Sequence, residues 1–286
     1  MKTRILAALV MAPLAIAAIL LLPTPWLAPL AAVLFLAGLW EWFKLAEVDD
    51  SIARTVLLIA NLMLMVAIVW ASRSSNGGSL VLLQVTVVLG VIWWLLATLW
   101  LKHYDFASDH DTNARVFKLA AGTCAVLPAW AALGLLHASD PAPGLIGDIP
   151  KGHFWLLTAL ATVWAADSGA YFAGRTLGKR KLSPRISPNK TVEGLIGGLI
   201  AGVVVALAFS ILAGATPQQL PLVGTVALVT VLFSVVGDLF ESLLKRHVGV
   251  KDSGNLIPGH GGILDRIDAV LAALPVFALG KAWLGF

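Results

Sequence analysis

Apolar residues in this chain neither alternate with polar ones nor form narrow stripes. They come in blocks of about twenty separated by short polar stretches. About 20 residues at 1.5 Å of helical rise each are enough to cross the roughly 30 Å hydrocarbon layer of a bilayer. Nine blocks are legible, at 5–22, 26–46, 55–72, 80–101, 116–136, 154–174, 191–213, 220–246 and 263–284. Backbone that meets lipid has no water to bond, so each block must be helical. The pattern predicts an all-α, polytopic integral membrane protein with nine transmembrane helices. Pro29 interrupts the second block, and acidic residues open the ninth. Lys2 and Arg4 followed by the first block have the form of a secretory signal. The next apolar run begins at Trp26, however, so the first block reads as an uncleaved span.

Charge placement then fixes an orientation. With the N-terminus cytoplasmic, the cytoplasmic segments hold all 20 Lys and Arg residues except Arg73, Lys151 and Lys281, as the positive-inside rule requires. A chain that is 59% hydrophobic and 13% charged excludes a water-soluble fold. The net charge of +4 resides in short loops, which points to anionic lipid headgroups and not to nucleic acid. One cysteine, Cys124, excludes an intramolecular disulfide and a cysteine-rich metal site. The 286 residues read as a single transmembrane domain with two unequal parts. Residues 1–150 carry little identifiable chemistry, and 151–286, where the polar clusters lie, are expected to hold the catalytic helices and cytoplasmic loops. Glu41 and Lys44, flanked by Trp40 and Trp42, read as an interfacial anchor.

Polar residues of the last third gather at cytoplasmic helix ends in three stretches. The first holds Asp167 and Ser168, two turns before Arg175. An ionised carboxylate inside an apolar helix costs about 2.5–3.5 kcal/mol, so Asp167 needs either a bond to Tyr171 or a neighbouring helix, or a function. The run from Gly174 to Lys179 looks like a phosphate-binding loop but is one residue short. It also has Arg180 where a magnesium-binding hydroxyl belongs, and no preceding strand. In the second stretch, Ser187 and Pro188 predict an N-cap and first helical residue, and Glu193 suits the helix dipole. Alternatively, Lys190 and the free amides of that terminus hold a phosphate. Gly194, Gly198 and Gly202, four apart, predict a close helix-packing face.

The third stretch is the richest. Asp238, Ser242 and Lys245, spaced by four and three, share one helix face, and Arg246 follows. After Lys251, Asp252 and the turn Pro258, Gly259, His260, Gly261, Gly262 come Asp265, Arg266 and Asp268. The eighth and ninth helices must be antiparallel neighbours, which brings Asp238 level with Asp265 and Asp268. Carboxylates about 5 Å apart repel by about 3 kcal/mol at an effective dielectric near 20, and a divalent cation removes that cost. Oxygen donors without cysteine favour Mg2+ or Mn2+ over zinc. The glycine-rich turn offers backbone amides to an anion. Cation-binding acids beside anion-binding amides imply a phosphate ester.

The run from Ser242 to Asp252 and from Pro258 to Asp268 closely resembles the signature of phosphatidate cytidylyltransferases, also called CDP-diacylglycerol synthases. The stretches around Asp167 and Lys190 resemble that family's upstream motifs, so the likeness covers about 167–268 by motif. The resemblance implies condensation of CTP with phosphatidic acid to CDP-diacylglycerol and pyrophosphate, in a homodimer with Mg2+ and a possible second ion, K+. It implies Asp238, Asp265 and Asp268 at the metal, and Lys245 and Arg266 as further catalytic groups. Asp167, Ser168, Lys190, Ser242, Arg246, Lys251, Asp252, Gly259, His260, Gly261 and Gly262 would line the substrates. A bacterial inner membrane, with the site facing the cytoplasm where CTP is, would be its place. Two rival readings stay open at this level. Intramembrane acids also mark secondary transporters, and a CTP-dependent polyprenol kinase would release CDP instead of pyrophosphate.

Overall fold

The structure is a computed structural model that describes residues 2–72, 80–254 and 261–286, with side chains from Met11 onward. Nine α-helices make up the described chain: α1 (Lys2–Leu21), α2 (Thr24–Leu45), α3 (Ser51–Ser72), α4 (Val81–Lys102), α5 (Thr112–His137), α6 (Lys151–Leu177), α7 (Val192–Leu212), α8 (Leu220–His247) and α9 (Leu264–Leu284). Among the described residues, α2, α3, α4, α5, α7, α8 and α9 are long and apolar enough to cross a membrane. The apolar blocks extend at their polar edges where a cap is available. The Asp50 carboxylate accepts from the Ile52 and Ala53 amides to start α3 a turn early, and Asp111 caps α5 at Ala114. Pro29 and Pro128 sit inside α2 and α5 without ending them, because neighbouring helices support membrane helices through such breaks.

The all-α expectation needs one correction. Between α6 and α7 lies a two-stranded antiparallel hairpin, β1 (Lys181–Ser183) with β2 (Ser187–Thr191), pairing Lys181 with Thr191 and Ser183 with Ser187. Ser187 therefore starts a strand instead of capping α7. The cap is Thr191, whose hydroxyl accepts from the Gly194 amide at 3.0 Å. Pro188 is compatible with β2 because a two-stranded ribbon is all edge. Glu193 is in the first turn of α7 as expected, and its carboxylate also accepts from the Lys179 and Arg180 amides at 3.0 and 3.1 Å, fastening the hairpin base.

The predicted glycine face is present. Gly194, Gly198 and Gly202 are buried, and a Cβ at Gly198 would lie 2.8 Å from the Ala166 carbonyl of α6. The two backbones touch because no side chain separates them. Helix α9 is the central post, in contact with α2, α4, α5, α6 and α8. Phe240 of α8 is fully enclosed by Trp42, Trp93, Trp94 and Trp100 from α2 and α4. Phe240 is about 200° around the helix from Asp238, so this aromatic knot sets the rotation of α8 and turns Asp238, Ser242 and Lys245 the other way. The indole N–H groups of Trp42 and Trp94 are satisfied by the Lys118 and Leu271 carbonyls.

The loops at one end of the bundle are tied together. Arg185 pairs with Asp105, His247 bonds the Tyr104 carbonyl, and Arg246 donates to the Ile186 carbonyl at 3.2 Å. Lys118, wholly buried, pairs at 3.1 Å with Glu47, which also meets His110. Partial burial opposes ionisation of Glu47, but the hydrogen bonds from His110 and Lys118 outweigh it and hold its carboxyl below the usual range.

Where α8 crosses α9, a Cβ on Gly237 would come within 2.4 Å of the Asp268 carbonyl and 3.0 Å of the Ala272 side chain. Gly237→Val should therefore wedge the pair apart at a cost of about 1–3 kcal/mol. A lowered thermal midpoint in detergent, compared with Gly224→Val at a roomier α8 position, checks this; equal midpoints would refute the close crossing.

Candidate active site

A cavity of about 500 Å³ opens between α6, α7, α8 and β2, with Asp167, Arg175, Asn189, Lys190 and Asp238 at its polar part. Its lining also includes apolar side chains such as Ala166, Ala170, Leu195, Val231 and Val235. The hairpin delivers Lys190: its ammonium meets the Asp238 carboxylate at 2.5 Å. Asp238 lies close enough to both Asp167 and Asp268 for the charges to repel, and Lys190 is within electrostatic reach of both acids. Three carboxylates thus face one ammonium. Ser242 points its hydroxyl at Asp238 from one turn away, at 3.5 Å. The level at which α8 and α9 meet is the one that the spacing predicted for Asp238 and Asp268.

Asp265 has different company. Its carboxylate accepts from Lys245 at 2.7 Å, from the Gly262 amide at 2.8 Å and from the Ser253 amide at 3.1 Å. Lys245 also donates to Glu241 at 2.6 Å, so one buried ammonium serves two carboxylates. The second oxygen of Glu241 is buried without a hydrogen-bond partner among the described residues. Gly261 has a left-handed φ of +78°, and a Cβ there would lie 2.6 Å from an Asp265 oxygen. Glycine is required at this position on both counts.

The remaining expected site residues are distributed as follows. Ser168 is exposed and returns its hydroxyl to the Trp164 carbonyl. Arg246 reaches the Ile186 and Val250 carbonyls, which makes it an anchor of the hairpin and loop. Lys251, Asp252 and Arg266 are exposed. Gly259 and His260 lie outside the described residues. The Tyr171 hydroxyl, one turn from Asp167, accepts from Arg175.

Two acids were missed in the sequence. Glu241 stands three residues after Asp238 and four before Lys245, so the same helix spacing puts it on that face, where it pairs with Lys245. Glu41, expected to be an interfacial anchor paired with Lys44, is instead 3% exposed and accepts from the Ser253 hydroxyl and the Leu264 amide.

Whether these residues suit a cation is a question of donor chemistry. Asp167, Asp238 and Asp268 supply only hard oxygen donors, with more negative charge than Lys190 offsets, and that set suits Mg2+ or Mn2+. Among the described residues no group of three or more His, Cys, Asp or Glu side chains is arranged to hold a metal ion by itself.

Known proteins resemble this chain over most of its length. A phosphatidate cytidylyltransferase of Pseudomonas aeruginosa is 38% identical over 278 residues, covering 97% of this chain and 96% of its own. One from Haemophilus influenzae is 35% identical over 295 residues, covering 97% of each. One from Bacillus subtilis is 52% identical over 128 residues, 43% of this chain and 46% of its own. The model of the cytidylyltransferase family matches residues 2–282, and the chain belongs to that family.

Proposed function

We propose that this chain is a phosphatidate cytidylyltransferase, converting CTP and phosphatidic acid to CDP-diacylglycerol and pyrophosphate. The observation that carries the reading is the cavity itself, whose lining joins apolar side chains to Lys190, Asp238, Asp167 and Arg175. Such a site suits an amphiphile whose phosphate must meet a soluble nucleotide.

A lipid phosphate oxygen attacks the α-phosphorus of CTP, the bond from that phosphorus to the bridging oxygen breaks, and pyrophosphate leaves with the electron pair. The nucleophile is already ionised at neutral pH, so the residues need only align and neutralise. Lys190 and Arg175 hold phosphate charge at the cavity. Lys245 keeps Asp265 in place, while Arg266 and Lys251 present positive charge at the loop for the triphosphate. Asp238 and Asp268, supported by Asp265, would hold Mg2+ or Mn2+, with K+ as a second ion, and a bound cation there supplies charge neutralisation between the two phosphates. Asp252 and Ser242, with the glycine-rich turn that the family resemblance assigns to the substrates, complete the nucleotide's surroundings.

In this reading the chain crosses a bacterial inner membrane nine times with its N-terminus inside, the polar residues of the cavity face the cytoplasm, and two copies make the enzyme. The charge asymmetry of the loops supports this orientation. The test is purified protein in detergent with labelled CTP and phosphatidic acid, with and without Mg2+. Pyrophosphate and a cytidine-labelled lipid are expected, only with the cation. Release of CDP would indicate a lipid kinase, and absence of turnover where no compartments exist would favour transport.

A further inference from the structure

The network of buried acids does not end at Asp265. Glu41, in α2, is enclosed although it lies in an apolar helix, and one of its oxygens accepts from the Leu264 amide at 2.8 Å and the Ser253 hydroxyl at 3.0 Å. These partners are 223 and 212 residues away in the chain. Two glycines allow the approach: a Cβ on Gly254 or Gly262 would fall 2.3 or 2.2 Å from a Glu41 oxygen. The residue before α9, Ile263, has no capping side chain. Glu41 therefore supplies from another helix the acceptor that a local N-cap supplies elsewhere.

Ser253 makes the connection continuous. Its hydroxyl goes to Glu41 while its amide goes to Asp265, which in turn holds Lys245. The first turn of α9, with Asp265 and, a turn later, Asp268, is thus located by a side chain from the half of the chain in which the sequence shows no chemistry. We infer that Glu41 is a positioning residue for the cytidylyl-transfer site, setting the height and rotation of the α9 N-terminus and hence where Asp265 and Asp268 stand. This rests on the reading of the site given above. A carboxylate that merely filled the core would be replaced by an apolar side chain at no loss of turnover, and would not need two donors from the loop carrying the site.

The experiment compares Glu41→Gln, Glu41→Asp and Ser253→Ala with the parent enzyme, full-length in detergent. It measures kcat, the KM for CTP, the Mg2+ concentration for half-maximal rate, and the thermal midpoint. Glu41→Gln leaves only a neutral oxygen to accept from the Leu264 amide and the Ser253 hydroxyl, bonds roughly half as strong as those to a carboxylate, and is expected to lower kcat about 10–100-fold and raise the Mg2+ requirement, as weakening of supporting groups around metal ligands does. The KM for CTP should move less than about threefold. Glu41→Asp should recover part of kcat, and Ser253→Ala, which keeps the Leu264 bond, should fall between. Combining Glu41→Gln with Ser253→Ala should cost less than the product of the single losses, since both act through one connection. Should Glu41→Gln fail to fold, Ser253→Ala still carries the Mg2+ readout. Parent-like kcat and Mg2+ dependence in Ser253→Ala and any foldable Glu41 variant, beside an active parent, overturns the inference; an inactive parent instead overturns the proposed function.

Discussion

Asp238→Asn is expected to lose about a thousand-fold or more in turnover while remaining as stable as the parent, or more so. The magnitude follows from the several kcal/mol that a cation at a transferring phosphoryl group contributes, at 1.36 kcal/mol per factor of ten. The sign of the stability change follows from the neighbours. Asp238 repels Asp167 and Asp268, and one lysine, Lys190, stands against all three. Asparagine keeps the shape and an acceptor for Lys190 and Ser242 but removes the charge that the other two carboxylates resist. Lys190 retains both of those acids within reach. A functional group that strains the resting protein is the expected trade between stability and activity. Initial rates with saturating CTP and phosphatidic acid, beside thermal midpoints, decide the matter. Activity within tenfold of the parent, or a midpoint that drops in step with activity, would remove Asp238 from the centre of the site.

Asp265 illustrates what the sequence can and cannot separate. Spacing places it with Asp238 and Asp268 at one level, and the crossing of α8 and α9 at Gly237 agrees. Spacing alone makes the three aspartates equivalent, so Asp265→Asn reads as a change that abolishes turnover and spares the fold. The structure distinguishes them: Asp265 accepts from two backbone amides and a buried lysine, so its substitution touches stability as well. The membrane blocks are legible because hydropathy is a local property summed over twenty residues. The 181–191 hairpin is not, since a strand reading Ser, Pro, Asn, Lys, Thr has neither alternation nor β-branched weight until its last residue. Glu41 escapes for another reason. Its sequence neighbours Trp40 and Trp42 mark a membrane interface, and nothing near it in the chain announces partners more than 200 residues away.

The Lys245 bridge yields the second large effect, and here fold and chemistry can be pulled apart. Lys245→Met removes the ammonium that serves Glu241 and Asp265 and leaves two buried carboxylates without it. Breaking a buried pair by removing one member typically costs about 3–5 kcal/mol, because the uncompensated charge remains. Low yield and a strongly lowered thermal midpoint are expected for the single variant, along with lost turnover. In the double variant Glu241→Gln with Lys245→Met, one of the stranded charges is gone, and Asp265 still accepts from Gly262 and Ser253. More than half of the lost midpoint should return. Turnover should not: the site still lacks the cation beside Asp265, and a deficit of at least about a hundredfold is expected, the size associated with losing one preorganised electrostatic group. Thermal scans and CTP turnover on the same preparations read the two quantities separately. If turnover returned together with the midpoint, Lys245 would be a structural ion-pair partner alone, and the positive charge opposing the pyrophosphate would have to come from Lys190, Arg175 and the loop cations.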